Sequence, residues 1–481
     1  PAAAQRPDLG ALDAYVARAV REWRVPGLAI AVVKGDSVVF EKGYGTRTKG
    51  RDEPVDEHTL FAVGSTTKAF TVAALSMLAD SGRVAWDDPV TRHLPAFSLA
   101  DPYVTREITV RDLVTHRTGV AADDQLWLLG YPRAEIVRRM RWLPRAAGLR
   151  SEYAYNNNMF VVAGEVVGAA SGSTWDAFVA RRIYAPLAMA ETFPTLAAAR
   201  ARPNLATPHD LRGDTVAAIP YRDIDNVGPA GSMMSSAHDM ARWLRFQLDS
   251  ARLNGRRLVS ARQHAAWTTP QFVVPLERFY PAARAAGTHL AAYGLGWFLQ
   301  DYRGRLVAMH TGSIDGMSAI VGMLPEEGVG VVVLANLDHA EVRHALMYRV
   351  FDLYLGAPER DWSAELRRLY AAAGRQRESV RVTGTRPTLP LARYAGTYAD
   401  SLYGDLRVRL EGGRLVAALG PRLAGTLEHR AYDTFAIRWS DAGLGESTVT
   451  FSLDARGTVA AATVDGRPFA RAAEPAASDA R

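Results

Sequence analysis

The sequence predicts an α+β fold with a small antiparallel β-barrel appended at its C-terminal end. Strand-forming runs stand at both ends of the first 357 residues: Gly27-Leu-Ala-Ile-Ala-Val-Val33 at one, Gly330-Val-Val-Val-Leu334 at the other. The stretch between them is mostly helical in spacing, broken by loops rich in Pro, Gly and Asn. One antiparallel sheet assembled from N- and C-terminal segments, faced by a helical region, satisfies both observations. Beyond Pro390 the texture is β throughout: Leu406, Val408 and Leu410 alternate with Arg407 and Arg409, and Gly412-Gly413 turns the chain into Leu415-Val416. That pattern predicts the barrel.

Taken in order, Leu12 to Trp23 has helical spacing, and the runs 27–33 and 37–40 flank Lys34-Gly-Asp36 as a hairpin. Ser65 to Asp80 reads as a helix with Phe70, Ala73, Ala74, Met77 and Leu78 on one face and Gly82 past its end. Arg133 to Arg150 carries Ile136, Met140, Trp142 and Leu143 among its arginines, which predicts an amphipathic helix with a solvated basic face. Val161 to Ala170 is a further helix. The segments 296–299, 306–309, 318–321 and 330–334 read as consecutive antiparallel strands, closed by a helix from Val342 to Leu355. The predicted domains are residues 1–357, a helix and linker over 358–388 with the helix at Trp362 to Ala373, the barrel at 389–470, and a disordered tail from 471 to 481.

Composition excludes several classes. Hydrophobic content of 48% with 22% charged residues is globular. Net charge is +6, but 57 basic residues are mixed with 51 acidic ones along the chain, so no nucleic-acid surface is expected. No apolar run is long enough to span a membrane. Cysteine is absent, which removes disulfides and thiol catalysis. The chain opens Pro1-Ala-Ala-Ala-Gln-Arg6, as an exported protein would after loss of its signal, so a periplasmic or secreted location is expected. No His-Glu-x-x-His occurs, and His339 and His344, five apart, leave a shared helix face; neither metal nor cofactor is expected.

The chemistry starts from lysine usage. Only Lys34, Lys42, Lys49 and Lys68 interrupt the use of arginine, and Lys68 stands three residues after Ser65, where a helix brings i and i+3 onto one face. Lysine can give up its proton when desolvated and arginine cannot, so Lys68 suits activation of a serine nucleophile. A serine at a helix start is also an ordinary cap. Two more segments weigh against that reading: Tyr155-Asn156-Asn157 in the loop before the 161–170 helix, and His310-Thr311-Gly312 at a predicted strand end.

Ser65-Thr-Thr-Lys68, Tyr155-Asn-Asn157 and His310-Thr-Gly312 resemble, in order and spacing, the three motifs of the serine β-lactamase and penicillin-binding-protein superfamily. The likeness is to the branch of class C β-lactamases, D-alanyl-D-alanine carboxypeptidases, D-aminopeptidases and related esterases. It covers about residues 10 to 357 and includes Val25-Pro-Gly-Leu28, Asp87-Asp-Pro-Val90, Ile108-Thr-Val-Arg-Asp-Leu113 with Thr115-His116, Pro229-Ala-Gly231 and Tyr293-Gly-Leu-Gly-Trp297. Tyr394-Ala-Gly-Thr-Tyr398 opens a region similar to the lipocalin-like domain appended to such hydrolases.

The resemblance implies an acyl-enzyme on Ser65. Lys68 would hold or accept the hydroxyl proton, and Tyr155 is a candidate base if nearby positive charge lowers it from about 10. Lys68 is the available cation and His310 a conditional one. Asn157 would orient Lys68 and the substrate amide. The oxyanion hole would use the N–H groups of Ser65 and Ser313, beside Gly312. Histidine at 310, where most β-lactamases use lysine, argues for peptidase or esterase work on a small molecule or short peptide. Asn156 is expected to matter little, and His116 to be a structural hydrogen-bonder. A permissive carboxylesterase or weak β-lactamase, and a non-catalytic penicillin-binding sensor, are the alternatives. Homo-oligomer formation stays open.

Overall fold

The computed structural model describes residues 7–373, 384–441 and 444–473. Contacts divide it into two units: one from 1–122 and 144–375, the other from 123–143 and 376–481.

The first unit begins with α1 (Leu9–Glu22), capped by the Asp8 carboxylate, which accepts from Ala11 N. Its Leu12, Tyr15, Val16, Ala19 and Val20 fall on one face and are buried. The hairpin β1 (Gly27–Lys34) and β2 (Ser37–Gly45) follows. Three short strands, β3 (Phe272–Val274), β4 (Ala291–Tyr293) and β5 (Phe298–Tyr302), then lead into β6 (Arg305–Ile314), β7 (Met317–Leu324) and β8 (Val329–Ala335). These form one eight-stranded antiparallel sheet in the order β2-β1-β8-β7-β6-β5-β4-β3. The predicted pairing of the unit's N- and C-terminal segments is the β1–β8 ladder, with Leu28 opposite Ala335 and Val32 opposite Val331. The α+β architecture and the C-terminal barrel follow the sequence reading.

Helices cover both faces of the sheet, which is why β7 and β8 are buried along their whole length. A Cβ at Gly330 would come 2.9 Å from Leu244 of the helix Ala237–Leu248. On the opposite face one at Gly322 would come 2.6 Å from Met347 of the helix Val342–Leu355. The helical region holds α2 (Lys68–Asp80), buried from Lys68 to Leu78, and α3 (Asn157–Ser171).

Asp112 ties down the segments between these helices. Fully buried, it accepts from Arg117 Nε at 2.7 Å and from both Nε (3.0 Å) and an Nη (2.7 Å) of Arg150, and closes a capping box with Thr109. Burial pushes its carboxyl up, but Arg150, Thr109 and Arg117 outweigh this and hold it below the usual range. Because the folded value is depressed, this stabilisation is complete above the unfolded carboxylate's value of about 3.9 and is lost as pH falls below it. Asp112→Asn should cost about 1–3 kcal/mol in urea unfolding at pH 7 by removing the charge that holds half-buried Arg117 and exposed Arg150. The cost should shrink as pH is lowered below about 4.

The second unit is a closed barrel of β9 (Gly396–Asp400), β10 (Gly404–Glu411), β11 (Arg414–Leu419), β12 (Leu423–Ala431), β13 (Thr434–Trp439), β14 (Glu446–Leu453), β15 (Val459–Val464) and β16 (Arg467–Arg471). Closure leaves no sheet edge unpaired. The same unit includes 123–143, whose Leu129 joins the barrel core. Tyr131 donates to the Tyr403 carbonyl at 2.9 Å and Arg139 to that of Leu402 at 2.9 Å.

This corrects the reading of a long helix with a solvated basic face. The helix is Arg133–Arg139, followed by a short 3₁₀ turn, and Arg139 is committed to barrel carbonyls. Trp127 donates its indole N–H to Asp124 within the same unit. The helix Trp362–Ala373 groups with the first unit. Of the expected linker, 374–383 lie outside the described residues; so do 474–481 of the expected tail, whereas Arg471 is paired with Tyr398 in the barrel.

Candidate active site

Ser65 does not lie on α2 itself. It sits on a one-turn 3₁₀ helix, Gly64–Thr67, that leads into α2 at Lys68. Gly64 is left-handed (φ 52°), which lets the chain turn sharply out of the preceding strand. Ser65 is part-exposed while Lys68 is completely buried.

Burial of an ammonium requires partners. Lys68 Nζ lies 2.9 Å from Ser65 Oγ, 2.7 Å from Asn157 Oδ1 and 2.8 Å from the Ala230 carbonyl. The amide oxygen and the carbonyl only accept, so they take two of its protons. The same nitrogen faces Ser65 Oγ. Thr71, one turn along α2, donates to the Pro229 carbonyl at 2.7 Å and fixes the turn that carries Ala230.

Asn157 opens α3, and Asn156 caps it by accepting from Met159 N at 3.3 Å. Buried Asn156 also donates to the carbonyls of Val120 (3.3 Å) and Ala121 (3.2 Å). Asn156 thus has a structural part, capping α3 and holding the 120–121 segment, that the sequence reading did not assign to it. Tyr155, beside it, has the centroid of its ring 4.8 Å from Lys68 Nζ.

His310, Gly312 and Ser313 all lie within β6, which runs on to Ile314 paired with β7. Gly312 packs against the serine turn: a Cβ there would come 1.9 Å from the Val63 carbonyl oxygen, and one on Gly64 would come 2.7 Å from Ser313 N. The two glycines let the serine turn and the strand approach closely.

His310 is 1% exposed. Its Nδ1 lies 2.7 Å from the Thr311 carbonyl, to which it donates; Nε2, 3.0 Å from Tyr293 Oη, is left to accept. Burial, reinforced by the Lys68 charge, lowers it to about 3, so the ring is neutral. The reading of His310 as a conditional cation is therefore corrected, and both its nitrogens are engaged within the protein.

The structure thus brings the other six sequence-predicted residues around Ser65. It adds two that the sequence reading did not assign. Arg343, 2% exposed, donates to the Gly312 carbonyl at 2.6 Å and Ser313 Oγ at 2.9 Å while paired to Glu341 at 2.8 Å. Tyr293 holds His310; its segment had been noted only as part of the resemblance. Among the described residues no cluster of three or more His, Cys, Asp or Glu has metal-binding geometry.

A family model described as Beta-lactamase matches residues 12–354, and a domain of unknown function, DUF3471, matches 380–479. Among curated relatives, Unguisins hydrolase ungD of Aspergillus violaceofuscus is 30% identical over 95% of this chain and 88% of its own length. Protein flp of Staphylococcus aureus is 24% identical over 68% of this chain and 63% of its own. Among solved structures, the octameric penicillin-binding protein homologue from Pyrococcus abyssi aligns with a TM-score of 0.66 at 20% identity, covering 96% of this chain and 99% of that one. SurE, solved also with D-Leu, aligns at 0.58 and 23% identity with the same coverage. These structural likenesses carry the fold.

Proposed function

We propose that this chain, which belongs to the β-lactamase family, hydrolyses an amide bond, in a short peptide that can contain a D-residue, through an acyl-enzyme on Ser65. The observation that carries the reading is the cradle of Lys68, which Asn157 Oδ1 and the Ala230 carbonyl hold with its Nζ 2.9 Å from Ser65 Oγ. In this reading Ser65 Oγ attacks the carbonyl carbon, and its proton leaves into the Lys68–Tyr155 pair. The pair returns that proton to the departing nitrogen. Water then attacks the acyl carbon by the reverse route and frees Ser65. The N–H groups of Ser65 and Ser313 receive the developing oxyanion.

Substrate class is argued from charge. Neutral His310 cannot pair a substrate carboxylate, and Arg343 is already committed to Glu341 and to main-chain carbonyls. That weighs against efficient turnover of penicillins and favours neutral peptide amides. It equally favours esters, so a permissive carboxylesterase is the second reading. The relative named as a hydrolase of unguisins, which matches nearly the whole chain, supports hydrolysis over a sensor role. A periplasmic or secreted location belongs to the same proposal.

Intact-mass spectrometry with a fluorophosphonate tests it. Wild type should gain one adduct and Ser65→Ala none. No adduct on wild type, or an adduct surviving in Ser65→Ala, sinks the mechanism. A penicillin adduct that never clears would favour the sensor. Rates on a D-alanyl anilide against p-nitrophenyl butyrate then rank amidase and esterase.

A further inference from the structure

We infer that His116 is the positioning residue for Tyr155, holding the loop on both sides of it through one neutral tautomer; this rests on the acyl-enzyme reading above. The two backbone N–H groups that flank Tyr155 both end on His116. Ala154 N donates to the His116 carbonyl at 2.8 Å, and Asn156 N donates to its Nδ1 at 3.1 Å. One residue can offer both acceptors to the same loop because its backbone is left-handed, with φ 57°, a conformation uncommon outside glycine. Strain of that kind persists only where the surroundings enforce it. Here Asp112 does so, through Arg117, adjacent to His116, and through Arg150, whose N–H also donates to the Arg117 carbonyl at 2.8 Å.

The ring completes the hold. It is fully buried, and its centroid lies 4.1 Å from that of Tyr155, 4.6 Å from Tyr293 and 5.3 Å from Phe160. Because Nδ1 accepts, the proton of the neutral ring must be on Nε2. That atom is buried with no hydrogen-bond partner, against the aromatic rings. Lys68 and His310 are the charged or titratable groups that bear on it electrostatically, and Tyr153, Tyr155 and Tyr293 the ionisable rings around it. A protonated His116 would lose its bond from Asn156 N and would place a second cation near Lys68. Burial keeps it well below the ordinary histidine range, so the clamp stays intact through the neutral range.

A packing role and a positioning role predict different kinetics. His116→Gly accepts the left-handed backbone but removes the Nδ1 acceptor and the ring. His116→Asn accepts the same backbone, and its Oδ1 hangs from Cγ as Nδ1 does. Each is assayed as the full chain, with the rate expressed per Ser65 titrated by fluorophosphonate. His116→Gly should lower kcat about 30-fold with KM within about threefold, and shift the acidic limb of kcat/KM against pH. His116→Asn should return kcat to within about fivefold of wild type.

The inference is overturned if His116→Gly stays within about threefold per titrated site with an unmoved limb, or if Asn is no better than Gly. If the glycine variant does not fold, His116→Asn decides alone: a loss beyond about tenfold overturns the inference, and a smaller one with an unmoved limb supports it. Wild-type labelling separates the two levels, because a Ser65 that takes no fluorophosphonate sinks the acyl-enzyme reading whatever the His116 variants do.

Discussion

Lys68→Arg is expected to lower kcat by about 10³-fold, within the range for loss of a general acid–base group, while KM changes little. Guanidinium keeps its proton at any working pH, so the position facing Ser65 could only donate. Lys68→Met should lose as much activity by a different route, with no proton at all to exchange. The two variants separate charge from proton transfer, since only arginine keeps a cation beside Tyr155.

Stability should move little in Lys68→Met. Two buried acceptors, Asn157 Oδ1 and the Ala230 carbonyl, are left without their donor, at about 1–3 kcal/mol each. The desolvation of a fully buried ammonium, several kcal/mol, is relieved at the same time. A melting temperature within about 5 °C of wild type, together with lost turnover, is the expected pair of results. Turnover within tenfold of wild type in either variant would remove Lys68 from the proton path.

Much of this site was legible because its chemistry is local. Ser65 and Lys68 are related by a turn of helix, and a lysine kept in an arginine-rich chain marks the position. The central strands were legible for a similar reason: β-branched runs such as Val331 to Val333 declare themselves, and hairpin turns order them. The end of β6 did not declare itself. His-Thr-Gly-Ser is a poor strand sequence, and only its ladder with β7, Thr311 opposite Ile320 and Gly312 opposite Ala319, keeps it extended.

What stayed hidden depended on partners distant in sequence. The charge state of His310 is set by burial and by the charge of Lys68, more than 200 positions away. The amphipathic pattern of 133–150 was visible, but not that Arg139 within it is held by the Leu402 carbonyl, more than 250 positions away. His116 could be read as a hydrogen-bonder, but only its left-handed backbone reveals that it grips both sides of Tyr155.

Gly312→Ala should reduce turnover by about 10²–10³-fold without touching any group that exchanges a proton. The added methyl would stand 1.9 Å from the Val63 carbonyl oxygen, and that atom is backbone, unable to rotate away. Relief requires β6 and the Gly64–Thr67 turn to separate by about 1 Å or more, a displacement that alone can cost about 10²-fold. It would also pull Ser313 N away from Ser65, and loss of one oxyanion donor costs about 10²–10³-fold. The strand cannot retreat easily, because Arg343 grips the Gly312 carbonyl and Ser313 Oγ from behind. The strain should therefore fall on the serine turn. Overpacking of this kind costs about 1–3 kcal/mol, which calorimetry would register as a modest loss beside the large loss of turnover. Fluorophosphonate labelling discriminates further: in the proposed mechanism its phosphoryl oxygen uses the same donors, so labelling should slow in parallel with turnover. Labelling at the wild-type rate with turnover lost would mean that Ser65 and Ser313 do not share an oxyanion.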